Sequence, residues 1–298
     1  MKRILVTGAT GTVGSHVVSQ LTQKDVTVRA GVRDPERARG QFVSDVECVA
    51  FDFHKPETWG AAFADVDAMF LIRPPSVSRV KRHLTPAVDA AARVGVDHVV
   101  YLSVLGAEKN PILPHHRIED ALRETDVTYT FLRASFFMQN LSEVHREDIV
   151  DHDEIFVPAG DGTTSFVDAR DIAAVAVAAL TEPGHENRAY DVTGPEALTY
   201  DDVAAIFSEV LDREIDYTRP GPIEFATTMY RRDSPLPFVI VMLGIYTTAR
   251  LGLAGRVTDD VADVLGRPPR TMRAFVEDHT DVFQQEASHA DESQKADH

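Results

Sequence analysis

The amino-acid sequence predicts a doubly wound α/β fold, a parallel Rossmann sheet joined to a smaller, mainly helical C-terminal substrate lobe. Three observations point there. Short β-branched runs alternate with amphipathic stretches of helical length through the first half of the 298 residues, which is the pattern of βαβ units. A glycine-rich turn separates the first run from the first amphipathic stretch. Beyond about residue 140 the alternation loosens, and from Pro220 onward helical patterns dominate.

Strand-like segments fall at residues 4–7, 26–32, 46–51, 68–72, 99–102 and 128–132, with helix-like stretches at 13–23, 56–63, 80–94 and 116–124 between them. Right-handed crossovers place the carboxyl ends of such strands along one edge, where ligands bind in sheets of this class. A strand at 154–157 then leads through Ala159-Gly160-Asp161-Gly162, a turn signal, to a strand at 165–167. An Ala/Val-rich buried helix follows at 168–180. Strands at 190–192 and 215–217 flank a helix at 200–211 with Thr199 as its N-cap. We therefore divide the chain into a nucleotide-binding domain (1–150), a substrate lobe with segments returning to the sheet (151–283) and a disordered, acidic tail (284–298). The apolar run at 236–246 is too short to span a membrane. It suits a core helix, or else a lid or subunit contact.

Composition narrows the function. Hydrophobic residues at 44% and charged residues at 26% are ordinary globular values and exclude wholesale disorder. A single cysteine, Cys48, excludes an intrachain disulfide framework and a cysteine-based zinc site. The N-terminus lacks the apolar run of a signal peptide, so a cytoplasmic location is expected. A formal charge of −17 should repel nucleic acid, whose binding needs a basic face. The 47 acidic residues stand against 24 Arg and only 6 Lys. Such an acidic, lysine-poor surface suits a salt-rich, halophilic cytoplasm. A high-GC genome would explain the arginine bias equally well, but not the acid excess.

The most specific local motif is Thr7-Gly8-Ala9-Thr10-Gly11-Thr12-Val13-Gly14, which follows the first strand and opens the first helix. Gly8 permits the tight turn, Gly11 lets backbone approach a pyrophosphate, and Gly14 lets the helix pack closely on the strand. The helix N-terminus offers N–H groups and a partial positive charge to phosphates. Gly8, Thr10, Gly11, Thr12, Val13 and Gly14 are therefore the expected dinucleotide loop. At the end of the second strand, where NAD enzymes carry an acid, this chain has Arg33. A guanidinium there suits the 2′-phosphate of NADP, so NADPH is expected in preference to NADH. Arg29, Arg37 and Arg39 add to a local basic group; an ion pair of Arg33 with Asp34 or Glu36 is the competing role.

On these residues the chain resembles the NmrA-like, atypical short-chain dehydrogenase/reductases, and within them the type 2 quinone oxidoreductases and triphenylmethane reductases. The resemblance is carried by Val6 to Gly11 with Gly14, by Val32-Arg33-Asp34, Phe51-Asp52-Phe53, Leu71-Ile72 and Gly95 to Tyr101. It continues through His115 and Glu119 to Tyr129-Thr130-Phe131-Leu132-Arg133, and through Glu182 to Tyr190. It implies that Asp52 and Phe53 border the adenine and that Leu71, Ile72 and Arg73 line the nucleotide. It further implies that Ser103 and Val104 approach the nicotinamide ribose, and that Ser135, Phe136 and Phe137 flank the nicotinamide. Asp52 and the phenylalanines equally suit turn and core positions.

The Tyr-x-x-x-Lys pair of ordinary short-chain dehydrogenases is absent: Tyr101 is followed four residues later by Leu105, and Tyr129 by Arg133. The NmrA-like reductases lack that pair too. Some of them carry a lysine just after the glutamate matching Glu119, where this chain has Asp120, so that lysine's role does not transfer. Hydride transfer to a small electron acceptor needs mainly proximity. For the proton, water or a nearby acid serves, and His115 is the best side-chain candidate. Glu119, one helical turn on, is placed to orient its ring, and His116 leaves the assignment open by one residue. No metal-ligand spacing is present. An NADPH-dependent reductase of a quinone-like or other small electrophilic acceptor is expected. The alternative is a non-catalytic redox sensor acting through a protein partner; a homo-oligomer is compatible with either.

Overall fold

The computed structural model describes residues 1–43, 45–74, 77 and 79–284. Apart from Gln284, the expected tail lies outside the described residues. The strands are β1 (Lys2–Thr7), β2 (Val26–Val32), β3 (Glu47–Ala50), β4 (Ala68–Ile72), β5 (His98–Val104), β6 (Thr128–Ala134), β7 (Glu154–Ile155), β8 (Arg188–Val192) and β9 (Asp216–Tyr217). The helices are α1 (Thr12–Leu21), α2 (Pro35–Arg39), α3 (Trp59–Phe63), α4 (Val80–Arg93), α5 (Pro114–Arg123), α6 (Gln139–Glu143) and α7 (Arg146–Asp151). They continue with α8 (Ala169–Thr181), α9 (Tyr200–Leu211), α10 (Pro222–Arg231), α11 (Leu236–Arg250), α12 (Asp260–Leu265), α13 (Met272–Asp278) and α14 (Thr280–Phe283).

Two compact units form. The first comprises Met1–Phe137, Val167–Pro195 and Val257–Arg270. Its seven-stranded sheet runs in the order β3-β2-β1-β4-β5-β6-β8, and every pairing is parallel. Strand order reverses between β1 and β4, which is the topological switch point where such sheets bind ligands.

Each central strand is buried on both faces, which is why it reads as a continuous apolar run. Ile4, Val6, Phe70, Val100 and Leu132 point toward Val17 and Leu21 of α1, Ile172 and Ala176 of α8 and Val261 of α12. Leu5, Leu71, Tyr101 and Phe131 point the other way, toward Trp59 and Phe63 of α3, Leu84 and Val88 of α4 and Ile118 and Leu122 of α5. The Ala/Val composition of α8 follows from its burial against α1 and the sheet. Asp168 caps it by accepting the Arg170 N–H at 2.8 Å.

The second unit is built from Met138–Phe166, Glu196–Arg256 and Thr271 onward. It holds the two-stranded parallel β7–β9 ribbon and an aromatic core of Phe156, Phe166, Tyr200, Phe225 and Tyr246. Thr199 caps α9 in a reciprocal box with Asp202, as its position before the apolar pattern predicts. The strand expected at 165–167 does not form. Only isolated bridges occur there, Thr164 with Leu198 and Phe137 with Val167. The apolar run at 236–246 is helical and extends to Arg250. Pro237 sits in its first turn, where its missing N–H has no helical partner to lose. No helix of the described residues is long and apolar enough to cross a membrane.

Candidate functional site

The glycine loop joins the carboxyl end of β1 to α1. Gly8 adopts φ +62°, a left-handed conformation that favours glycine. A Cβ on Gly14 would lie 2.1 Å from the Gly8 carbonyl oxygen, so the first turn of α1 packs directly on the loop. Gly11 is the N-cap and offers no side chain to the first turn, which also carries no acidic residue. The helix N-terminus therefore presents backbone donors and its dipole without a built-in carboxylate, the donor set a pyrophosphate requires. Thr7 fastens the loop to the next strand. Its hydroxyl donates to the Phe70 carbonyl at 3.1 Å and accepts the Ile72 N–H at 2.9 Å. Ile72 in turn packs at Gly8.

Arg33 leaves the end of β2 exposed to solvent. Asp34 is occupied in capping α2 through the Arg37 N–H at 3.2 Å, and Glu36 pairs with Arg39 at 3.1 Å. Neither takes Arg33, which makes no ion pair among the described residues. Arg29 serves the fold instead. It binds Glu47 at 3.0 Å and donates to the carbonyls of Ala61, Ala62 and Ala64 at the end of α3. Of the basic group read from the sequence, the Arg33 and Arg37 side chains make no ion pair among the described residues.

Asp52 and Phe53 follow β3 beside this edge. The Asp52 carboxylate accepts the His54 N–H at 2.9 Å, and its carbonyl accepts the Trp59 indole at 2.9 Å. Phe53 is buried edge-on against Phe51, 4.8 Å between ring centroids. Both have turn and core duties of their own. Ser135, Phe136 and Phe137 follow β6, where the Ser135 N–H donates to the Val192 carbonyl and the Phe136 carbonyl accepts the Val167 N–H.

The richest polar cluster lies at the carboxyl ends of β4, β5 and β6. Leu71, Tyr101 and Phe131 are register partners on one sheet face. Two residues on, where side chains return to that face, stand Arg73, Ser103 and Arg133. Helix α5 covers them. Glu119, fully buried, accepts from Ser103 at 2.7 Å, from Arg133 at 2.7 and 3.1 Å, and from Arg123 at 3.0 Å. Burial alone would raise its carboxyl pKa. The Arg133 and Ser103 hydrogen bonds and the Arg133 and Arg123 charges prevail, holding it below the usual carboxylate range.

His115 is the histidine of the pair that faces this edge. His116 turns instead to the Ala107 carbonyl at 2.8 Å and to Asp120 at 3.2 Å. The His115 ring is oriented by Tyr101, whose hydroxyl lies 2.8 Å from Nδ1, and by Arg73, whose Nη2 lies 3.4 Å from Nε2. The expectation that Glu119 orients it is corrected by these contacts, since Glu119 is committed to two arginines and a serine. A guanidinium only donates, so Nε2 accepts and Nδ1 carries the proton toward Tyr101. Burial first, then the Arg73 charge, pushes the imidazole pKa down to about 4 against the opposing pull of Glu119. The ring is neutral at pH 7.

Arg73 donates to the Pro74 and Val77 carbonyls at 3.3 Å each. Its Nε is buried without a partner among the described residues. Sequence reasoning missed Tyr101 and gave Arg133 no role. The available signal was the shared ending of three strands, apolar-x-polar at Leu71/Arg73, Tyr101/Ser103 and Phe131/Arg133. Among the described residues no His/Cys/Asp/Glu group is arranged to hold a metal.

A parallel doubly wound sheet with a glycine loop at its switch point, and at the end of β2 an arginine that makes no ion pair among the described residues, defines a nucleotide-binding protein of Rossmann type. The model of the NmrA-like family matches residues 1–250. The chain belongs to the NmrA-like family. It is 36% identical over 284 residues to an NAD(P)H azoreductase of Xenophilus azovorans, covering 94% of this chain and 99% of that one. Among solved structures it resembles the triphenylmethane reductase of Citrobacter sp. complexed with NADP(H), with 29% identity, TM-score 0.82, and 93% and 99% of the two chains covered. An NADPH-dependent quinone oxidoreductase from Escherichia coli, complexed with NADPH, shares the fold, with TM-score 0.83, 24% identity, and 93% and 99% covered. Relatives at this distance thus include NAD(P)H-dependent reductases.

Proposed function

We propose that this chain is an NADPH-dependent reductase transferring hydride to a quinone-like or other small electrophilic acceptor, without metal or flavin. The observation that carries the NADPH choice is Arg33, exposed at the end of β2 with both neighbouring carboxylates engaged elsewhere. Its guanidinium suits the 2′-phosphate that distinguishes NADPH from NADH. The loop from Gly8 to Gly14 would hold the pyrophosphate. Ile72, Arg73, Ser103 and Val104 would line the nicotinamide half, with Ser135, Phe136 and Phe137 beyond them. When bound, the cofactor supplies the hydride. In the relatives named, the reduced substrates include azo compounds and triphenylmethane dyes, which supports a conjugated electrophile here.

The chain's own contribution is electrostatic. Hydride transfer to a neutral quinone-like or azo acceptor builds negative charge on it, and Arg73 is the cation at this edge that no carboxylate neutralises among the described residues. Neutral His115, backed by Tyr101, holds the Arg73 guanidinium without cancelling its charge. With its pKa near 4, His115 is a poor proton donor at pH 7, so the proton comes from water. Glu119 binds β5, β6 and α5 together beneath this surface.

The test is steady-state NADPH oxidation with a panel of quinones, azo compounds and cationic dyes, at low and at molar KCl. Turnover that saturates with acceptor is the expected result. Tight NADPH binding with no acceptor reduced would instead make the protein a redox sensor that acts through a partner.

A further inference from the structure

Helix α11 has an unusual distribution of apolar side chains. It buries a single stripe, Val239, Met242, Tyr246 and Ala249, at the spacing expected for one helix face. The opposite face is apolar over its first turns and becomes polar only at Thr247 and Thr248, near the helix end. Leu236 is 63% exposed, Ile240 60% and Val241 58%. Gly244 lies between them and the helix end, with open space where a Cβ would stand. Helix α10, packed against α11, adds Ile223 and Tyr230, exposed to 82% and 73%. A helix apolar on both faces, as α11 is from Leu236 to Tyr246, is normally covered on both. Leu251 and Leu253, which follow α11, are exposed to 67% and 69% as well; a standard interface buries roughly 800 Å² on each partner. Exposed patches of that size are rare on monomers.

Charge identifies the occupant. The chain carries 47 acidic residues and a net charge of −17, so two copies repel wherever carboxylates face one another. From Ser234 to Thr258 there is no Asp or Glu at all. Along α11 a second copy can therefore approach without burying an unpaired carboxylate. We propose that the outward face of α11, with α10 beside it, is the contact surface of a twofold homodimer. Each copy supplies the same apolar patch, with Ile240 and Val241 at its centre. Self-complementary contacts of this kind are the commonest route to a closed oligomer.

Sedimentation velocity over a range of protein concentrations, at low and molar KCl, tests the proposal. The wild-type chain should sediment at twice the monomer mass. Ile240→Glu and Val241→Glu, both at solvent-facing positions, should each weaken association at least ~30-fold while keeping the wild-type far-ultraviolet circular dichroism spectrum and NADPH affinity. A wild-type chain that stays monomeric at every concentration overturns the proposal, as does a double variant that still dimerises. A monomer that co-floats with phosphatidylcholine/phosphatidylglycerol vesicles overturns it in favour of a membrane surface.

Discussion

Replacing Glu119 with Gln probes the carboxyl edge of the sheet most directly. The substitution preserves shape and leaves an amide oxygen for the Ser103 hydroxyl. It removes the charge that Arg133 and Arg123 share at 2.7 and 3.0 Å. Glu119 is fully buried and the Arg133 side chain only 12% exposed, so water cannot replace the lost partner. Removing one member of a buried ion pair costs about 3–5 kcal/mol. The lower end applies here, because Glu108 lies 3.6 Å from Arg133 and relieves part of its isolation. The expected loss at neutral pH is thus about 3 kcal/mol.

The pH dependence has a defined sign. Glu119 is held below its ordinary value of 4.5 in the fold. Its stabilising contribution is therefore complete above 4.5 and is lost as pH falls through the lower, folded value. The wild-type chain should lose stability in that acid window, and the gap to Glu119→Gln should close there. Urea unfolding followed by the fluorescence of Trp59, the single tryptophan and a member of the core on this side of the sheet, measures both quantities. A gap under about 1 kcal/mol at neutral pH, within the range of an exposed ion pair, or one that does not narrow in acid, would show that the cluster is not the clamp described.

Three further outcomes are expected. Arg33→Ala should weaken NADPH binding roughly 10- to 100-fold, the worth of a hydrogen bond to a charged group, and leave NADH unchanged. Fluorescence titration with both nucleotides decides, and equal losses refute the 2′-phosphate role. Gly14→Ala forces a Cβ to within 2.1 Å of the Gly8 carbonyl oxygen, so it should cost about 1–3 kcal/mol and abolish nucleotide binding. An unchanged melting temperature and NADPH affinity would disprove the close packing of loop and helix. The His115 ring, followed by heteronuclear NMR against a His115→Asn reference, should stay neutral through pH 6 and titrate at about 4; a midpoint near 6.5 would contradict its burial beside Arg73.

The sheet was legible in the sequence because burial on both faces forces apolar runs, and a strand such as β4, Ala68–Ile72, can be read no other way. Helices α2, α6 and α7 are five or six residues long, too short to show a helical period. The glycine loop was legible because its constraints are local: φ at Gly8 and the missing Cβ at Gly14 act within one turn. The cluster around His115 was only half legible. Its i,i+4 relation to Glu119 is local, but the ring's true partners, Tyr101 in β5 and Arg73 just past β4, arrive from elsewhere in the chain. Which face a strand presents depends on register with its neighbours, and no short-range spacing encodes that. Histidine's ordinary titration near neutrality was likewise a poor guide, because burial beside a cation comes from the fold.

The carboxylates at this edge are consistently consumed. Asp34 caps α2, Glu36 binds Arg39, and Glu119 is shared by Arg133 and Arg123. Arg33, Arg37 and Arg73 keep their charge uncancelled by any carboxylate among the described residues. An anionic ligand approaching a chain of charge −17 is repelled over most of its surface, and a local positive potential at a cleft captures it only where acids are neutralised within the fold. Glu36 and Glu119 are each paired with arginine, and Asp34 is tied to a backbone N–H, which leaves Arg33, Arg37 and Arg73 to supply that potential. The electrostatic part of binding then rests on a few exposed guanidinium groups, which salt screens. The loop's backbone donors and the packing of Gly14 on Gly8 are far less sensitive to ionic strength, so raising salt should narrow the preference between NADPH and NADH more than it weakens their common affinity.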